Sequence, residues 1–351
     1  MLDAFFRRKP PPVGLAGPGT EKYVALALQG GGAHGAFTWG VLDALLEDGR
    51  LGFEAISGAS AGAMNAVVMA DGFLADGVDG ARAHLERFWK AVSLDGTLNP
   101  VQRAVMDQVL GFWSGAVAPF STVLRQMSPY ESNPLNINAL RSVVEELIDF
   151  PRVRQATAVK LYVSATNVRT GKLTIFAGGE LTADHLMASA CLPTIFQTVE
   201  IDDVPYWDGG YSGNPPLIPL FYEASSDDIL LVQINPIERA ETPRSHKEIE
   251  NRLSEINFNS ALLRELRTVE FVGRLIDEGK LSLREYKRVL MHRIDADEVL
   301  NALPGETRGA ADWRLFQDLR DAGRACAQAW LGRHYGDIGS KATLDLAAMV
   351  A

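Results

Sequence analysis

A serine hydroxyl becomes a useful nucleophile only when it is exposed, oriented and relieved of its proton during attack. The segment Gly58-Ala59-Ser60-Ala61-Gly62 meets the first two conditions if it forms a tight turn between a strand and a helix. Such a turn pushes the Ser60 side chain out of the sheet, and the helix N-terminus behind it favours developing negative charge. The flanking residues must be small, because Cβ atoms there would strike the adjoining strand and helix. Gly58, Ala59, Ala61 and Gly62 satisfy that demand. Taken alone, the motif also describes a plain small-residue turn. The strand-like run 53–56 before it and the alanine-rich helical run to about residue 69 favour the catalytic reading.

A second loop of the same kind precedes it, Gly30-Gly31-Gly32-Ala33-His34-Gly35. Consecutive glycines let several backbone N–H groups converge on one point without side-chain obstruction, and such a point binds an oxyanion or a phosphate. The same residues satisfy the dinucleotide-binding pattern G-x-G-x-x-G. That reading expects an acidic residue at the end of the second strand, to hold a ribose hydroxyl. Here the second strand ends at Ser57 to Ser60 instead, so the distinguishing residue is missing. Both loops are expected at the same end of two neighbouring strands, where a serine and a ring of amide donors would face each other, as acyl transfer requires.

The proton acceptor has two sources. Asp208 ends a strand and is followed by Gly209 and Gly210, which would let the backbone approach the serine loop closely. A carboxylate is a weak base, with an unperturbed pKa of about 3.9. It serves if its hydrogen bond to Ser60 is short and the proton moves as attack proceeds. The alternative is one of the six histidines, of which His246, His292 and His334 fall late enough for the chain order of an α/β-hydrolase triad. Ser60, however, follows only the second strand.

The elements that must position these residues alternate. Residues 23–28 read as a buried strand and 36–47 as a helix closed by Gly49, followed by the second strand–loop–helix unit around Ser60. Residues 80–150 read as mostly helical. Strands follow at 160–166 and 173–176, a short helix at 182–190, and two short strands flank Asp202-Asp203. Residues 229–234 form another strand, 245–277 a long helix, 286–294 a late strand and 312–331 a final helix. In the long helix, Ile249, Leu253, Ile256, Leu263, Leu266, Val269 and Ile276 lie on one side, as a packing arm or a dimer contact would have them, or, more simply, as one core-facing stripe.

Composition is that of an ordinary globular chain: 351 residues, 47% hydrophobic and 22% charged. A net charge of -10 argues against nucleic acid, whose binding needs clustered Lys and Arg. The two cysteines, Cys191 and Cys326, lie outside any metal-ligand spacing and fit a reducing compartment, with Cys191 as a small core residue. No signal peptide and no membrane-spanning run is apparent, so a cytoplasmic protein, soluble or peripheral at the membrane, is expected. Phe5 and Phe6 beside Arg7, Arg8 and Lys9 form either a bilayer contact or a solvated tail. The apolar, Gly- and Pro-interrupted stretch 109–120, with Phe112, Trp113 and Phe120, reads as a mobile lid or a membrane-facing edge, or equally as a buried loop.

Taken together, Gly30 to Gly35, Gly58 to Gly62 and Asp208-Gly209-Gly210 resemble the patatin-like phospholipase family, in its order of motifs. The resemblance extends to Ala188-Ser189-Ala190-Cys191-Leu192-Pro193-Thr194-Ile195-Phe196. It implies a three-layer α/β/α fold with a mostly parallel central sheet and a C-terminal helical extension. In that frame residues 1–21 are a flexible lead, 22–235 the catalytic domain, and 236–351 a mainly helical region packed on it. It also implies a Ser60–Asp208 dyad without a catalytic histidine, an oxyanion hole of Gly30, Gly31 and Gly32, and no metal or organic cofactor. The substrate would be a phospholipid or another lipid ester. Three rivals stay open: a Ser–His–Asp esterase, an intracellular depolymerase of a storage polyester, and a lipid-binding protein with a vestigial site.

Two positions depart from the commonest family pattern. Gln29 stands where an acid is frequent, and His34 replaces the usual Arg or Lys. An imidazole in that loop titrates near neutral pH, so His34→Arg should flatten part of the pH–rate profile. An unchanged profile would contradict this.

Overall fold

The run KYVALAL has apolar residues on both of its faces, and a strand of that kind must be covered from both sides. The computed structural model describes residues 12–93, 128–239, 241–302 and 313–350, and it shows how this is done. The tail around Phe5 and Phe6 and the stretch 109–120 lie outside the described residues. The first half of the chain runs β1 (Lys22–Leu28), α1 (Gly35–Asp48), β2 (Leu51–Gly58) and α2 (Ala61–Val92). Short helices α3 (Pro129–Ser132), α4 (Ala139–Leu147) and α5 (Phe150–Gln155) lead to β3 (Lys160–Asn167) and β4 (Leu173–Ala177). Then come α6 (Ala183–Ser189), β5 (Val199–Ile201), β6 (Val204–Asp208), α7 (Ile218–Glu223) and β7 (Asp228–Gln233). The chain continues with α8 (His246–Asp277), β8 (Leu290–Asp295), α9 (Asp297–Ala302), α10 (Trp313–His334) and α11 (Leu346–Val350).

The strands form one sheet in the order β5-β6-β3-β2-β1-β7-β8, with β4 also paired to β3. Strands β3, β2, β1, β7 and β8 are parallel, while β4 and β6 join β3 antiparallel and β5 joins β6 antiparallel. Alternation sorts the core into two layers. Val24, Leu26, Leu28, Leu230 and Val232 join a large cluster with residues of α1, α2 and α10. Ala25, Ala27, Ile229 and Leu231 face the other way, into a smaller cluster with Leu217, Leu220, Leu262, Leu266 and Val269. The result is the three-layer α/β/α arrangement with a mostly parallel sheet.

The register along β3 has a consequence for the site. Strand β2 pairs with residues 160–163 of β3, and β6 pairs with residues 165–167. Because β4 spans residues 162–166, it must occupy the opposite edge, so β2 and β6 share one edge. They run in opposite senses, and their C-terminal ends, Gly58 and Asp208, therefore meet head to head across Ser164.

Three sequence expectations are corrected. The helix after Ser60 does not stop near residue 69 but runs on to a break at Asp76–Gly77, where both residues are non-helical and Gly77 has φ 57. A second helical stretch then continues to Val92, so α2 is two helices joined at a kink. In α8 the expected stripe is split. Leu266, Val269 and Ile276 are buried, whereas Ile249, Leu253 and Ile256 are 42%, 55% and 49% exposed. The second half of α8 lies on the sheet, while the first half is held by polar contacts of Arg252 and Glu255 with the segment following β7. Within the lead expected to be flexible, Leu15 is buried and exchanges both backbone hydrogen bonds with Phe53.

The C-terminal region contributes a strand as well as helices. Strand β8 extends the parallel sheet, and α10 packs backbone-close on α1. A Cβ at Gly40 would overlap the Arg320 carbonyl, and one at Gly323 would overlap the carbonyl of Phe37. Gly40→Val should thus lower the denaturant midpoint by the equivalent of about 2–3 kcal/mol. An unaltered midpoint would show that the two helices can separate freely.

Candidate active site

Ser60 joins β2 to α2 in a strained backbone conformation, φ 50 and ψ -123. A non-glycine residue there costs on the order of 1–3 kcal/mol and persists only where its surroundings hold it. The neighbouring contacts show why small residues are needed. A Cβ at Gly62 would overlap the Leu28 carbonyl, and one at Gly58 would lie 2.6 Å from the Ala63 nitrogen. The Ser60 carbonyl accepts the first helical bond, from Met64 N–H at 3.0 Å, but its hydroxyl does not cap the helix. The hydroxyl lies near enough to the Asp208 carboxyl to help hold it down, without forming a hydrogen bond of ordinary geometry to Oδ2.

Asp208 is fully buried at the end of β6. Its N–H donates to the Cys191 carbonyl at 2.8 Å, its carbonyl accepts from Thr166 Oγ1 at 2.8 Å, and its Oδ1 accepts from Gly210 N–H at 2.7 Å. Oδ2 makes no hydrogen bond of ordinary geometry, which leaves acceptor capacity in the site. Burial pushes the Asp208 carboxyl up to about 7, while the Gly210 amide and the Ser60 hydroxyl hold it down. A carboxyl titrating there can take a proton near neutral pH far more readily than an ordinary one.

The glycine loop lies against the serine turn. A Cβ on Gly30 would sit 2.5 Å from the Ala59 carbonyl oxygen and 2.9 Å from Ser60 Cβ. A buried polar network holds the loop there. Gly30 N–H donates to Asn214 Oδ1 at 2.7 Å, and the Gly30 carbonyl accepts from Asn235 Nδ2 at 2.6 Å. Gln29 Oε1 accepts from the Ile234 and Asn235 amides, both at 2.8 Å, and its Nε2 donates to Asn259 Oδ1 at 2.8 Å. Gly32 opens a short 3-10 turn through Ala33 to His34, and Gly35 then starts α1 in tight contact with Ala61.

The patatin-like phospholipase family model matches residues 26–221, more than half of the chain. The chain belongs to that family. Among curated proteins none matches it significantly by sequence. Among solved structures it is similar to VipD from Legionella pneumophila, at 15% identity and a TM-score of 0.41, covering 93% of this chain and 72% of that one. That likeness is too loose to argue from. Patatin-like membership brings with it lipid acyl hydrolysis as the activity in general terms.

In this patatin-like chain the three sequence motifs converge, with two corrections. Of the three glycines expected to offer amides, Gly30 already donates its N–H to Asn214 Oδ1. Gly209 and Gly210 do not make room for the serine loop. A side chain at Gly209 would strike Ser164, and one at Gly210 would strike Phe258 of α8. The late histidines lie elsewhere. His246 is exposed beside Glu250, His292 is buried between Asp228 and Thr343, and His334 pairs with Asp337. Among the described residues, no three of His, Cys, Asp and Glu converge as a metal site would. Also among the described residues, no helix is long and apolar enough to cross a membrane.

Sequence reasoning missed the residues that hold the motifs: Asn214, Asn235 and Asn259 around the glycine loop, and Thr166 and Ser164 on β3; Ser189, behind Ser60, falls in the family-like stretch 188–196, but its sequence does not show this role. Gln29 was marked only as a departure from the pattern, and its amide character is what the network uses.

The raised pKa of Asp208 is also a stability statement. Between pH 4 and 7 the folded chain keeps a proton that the unfolded chain, titrating near 3.8, has lost, so stability falls as pH rises through that window. Asp208→Asn removes the buried charge and should raise the Tm by a few degrees at pH 8 and by much less at pH 4. A lower Tm at pH 8 would contradict the burial argument.

Proposed function

We propose that this protein is a serine lipid acyl hydrolase, of phospholipase A or esterase type, working through Ser60 and Asp208. The observation that carries the reading is the meeting of a strained, helix-starting serine with a fully buried carboxyl at the junction of β2 and β6. Ionised Asp208 accepts the Ser60 proton as Oγ attacks the acyl carbonyl carbon. The oxyanion formed is held by the Gly31 and Gly32 amides, and the dipole at the start of α2 favours the same charge. Collapse breaks the ester bond, and the leaving alcohol takes the proton back from Asp208. Water then attacks the acyl-enzyme, gives its proton to Asp208 and releases the fatty acid, and Asp208 returns a proton to Ser60.

The partners already found for His246, His292 and His334 favour a dyad over a triad. The Cys191 thiol, beside Asp208, is pushed up to about 12 by burial, so it stays neutral and does not compete as a nucleophile. The substrate is a lipid ester, met by peripheral contact with a membrane or lipid surface. Two free cysteines suit the cytoplasm as its compartment.

Ser60→Ala and Asp208→Asn should each lower kcat/KM for a p-nitrophenyl or phospholipid ester at least about 1000-fold. Replacing His246, His292 or His334 should leave it within about tenfold. In the wild type, kcat/KM should rise with pH through about 7, as Asp208 ionises. A late histidine that is essential while Asp208 is not would transfer the mechanism to a triad.

A further inference from the structure

Two backbone amides at the centre of the site end on one short piece of chain. The Ser60 N–H donates to Ser189 Oγ at 2.9 Å, and the Asp208 N–H donates to the Cys191 carbonyl at 2.8 Å. Ser189 is the last residue of α6, and Cys191 follows two residues later. All four residues are buried, so no solvent replaces either bond if it is lost. The serine turn and the aspartate strand, 148 residues apart in the chain, are thus tied to the same three residues.

That piece of chain is itself anchored on both sides. Leu186, Met187 and Ala188 are fully buried in the main core. The start of α6 is closed by His185, whose Nδ1 accepts the Thr182 N–H at 3.1 Å, and whose ring packs edge-on against Phe176 at 4.3 Å. Past the helix, the Cys191 thiol donates to the Gln197 carbonyl at 3.1 Å. Asp208 is separately fastened to β3 by pairing with Ala165 and by Thr166 Oγ1. Of the two ties to the 189–191 piece, the one to Cys191 uses a backbone carbonyl that any residue would supply. The tie to Ser60 depends on a side chain.

We infer that Ser189 is a positioning residue, and that with the Cys191 carbonyl it makes the end of α6 a spacer setting the distance between Ser60 and Asp208. The inference rests on the reading of Ser60 as nucleophile and adds to it what holds that nucleophile in place. Ser189 acts through the Ser60 amide, not on the acyl group. Without its oxygen the Ser60 N–H is left buried and unpaired, and the strained φ of Ser60 has lost a restraint. The turn then relaxes, and Oγ moves relative to both the carboxyl and the loop amides. Substrate binding, which does not involve this bond, is unaffected.

The test compares wild type, Ser60→Ala, Ser189→Ala, Ser189→Cys, Ser189→Thr and Leu186→Val. It measures kcat and KM on a p-nitrophenyl ester, the rate of fluorophosphonate labelling, and Tm. Ser189→Ala should lower kcat and the labelling rate about 10- to 100-fold, with KM within about twofold. Ser189→Thr, which keeps the oxygen, should recover most of the loss. Ser189→Cys, with a weaker acceptor, should fall between them, and it carries the test if Ser189→Ala does not fold. Leu186→Val loosens the same helix without touching the bond, and should lower Tm while leaving kcat within about threefold.

Wild-type kcat in Ser189→Ala, or an equal loss of kcat in Leu186→Val, would overturn the spacer. An active Ser60→Ala would instead remove the nucleophile reading and this inference with it. An inactive Ser60→Ala beside a fully active Ser189→Ala would sink the spacer alone.

Discussion

One edge of β3 is shared by two strands that run toward each other, and the rest of the site follows from that. Strand β2 can pair with only the first half of this edge, because β6 occupies the remainder from the opposite direction. Backbone hydrogen bonds along β3 therefore bring the ends of two distant segments together. A parallel strand end delivers a serine onto a helix N-terminus, and an antiparallel strand end delivers a carboxylate. Ser164 lies between them, and its one hydroxyl proton is shared between the carbonyls of Gly58 and Gly213, at 3.3 and 3.0 Å, on either side of the junction. The antiparallel part of an otherwise parallel sheet is thus a device for making two C-terminal ends meet.

Burial raises the Asp208 carboxyl at this junction. A carboxyl in water would be too acidic to accept a serine proton efficiently; at the end of β6 it has lost its water and gained only one full hydrogen bond, from Gly210. The same desolvation makes the folded state bear an unfavourable charge. The remainder of the structure offsets it through a close-packed, three-layer core. In the glycine loop, the Gly30 N–H and carbonyl are both taken, by Asn214 and Asn235.

Much of the fold was legible because its signals are local. Unbroken apolar runs marked β1 and β7, the left-handed Gly49 marked the end of α1, and the steric demand at Gly58 and Gly62 is met by residues a few positions away or on the adjacent strand. The motif residues of the site were legible for the same reason. Their supports were not. Asn214, Asn235 and Ser189 act on residues between 129 and 205 positions away, and nothing in an isolated Asn or Ser distinguishes a buried clamp from a surface turn. The roles of Gly209 and Gly210 were misjudged because their neighbours, Ser164 and Phe258, come from other elements. In α8 the helical period was plain, but periodicity cannot say that only half the helix rests on the sheet.

The most direct test of the whole account is a crystal structure of the protein after reaction with a fluorophosphonate. The account predicts phosphorus bonded to Ser60 Oγ, one phosphonyl oxygen about 2.7–3.1 Å from the Gly31 and Gly32 amides, and the Asp208 carboxyl beside Oγ. An adduct on another residue, or an imidazole in contact with Ser60 Oγ in place of Asp208, would contradict it.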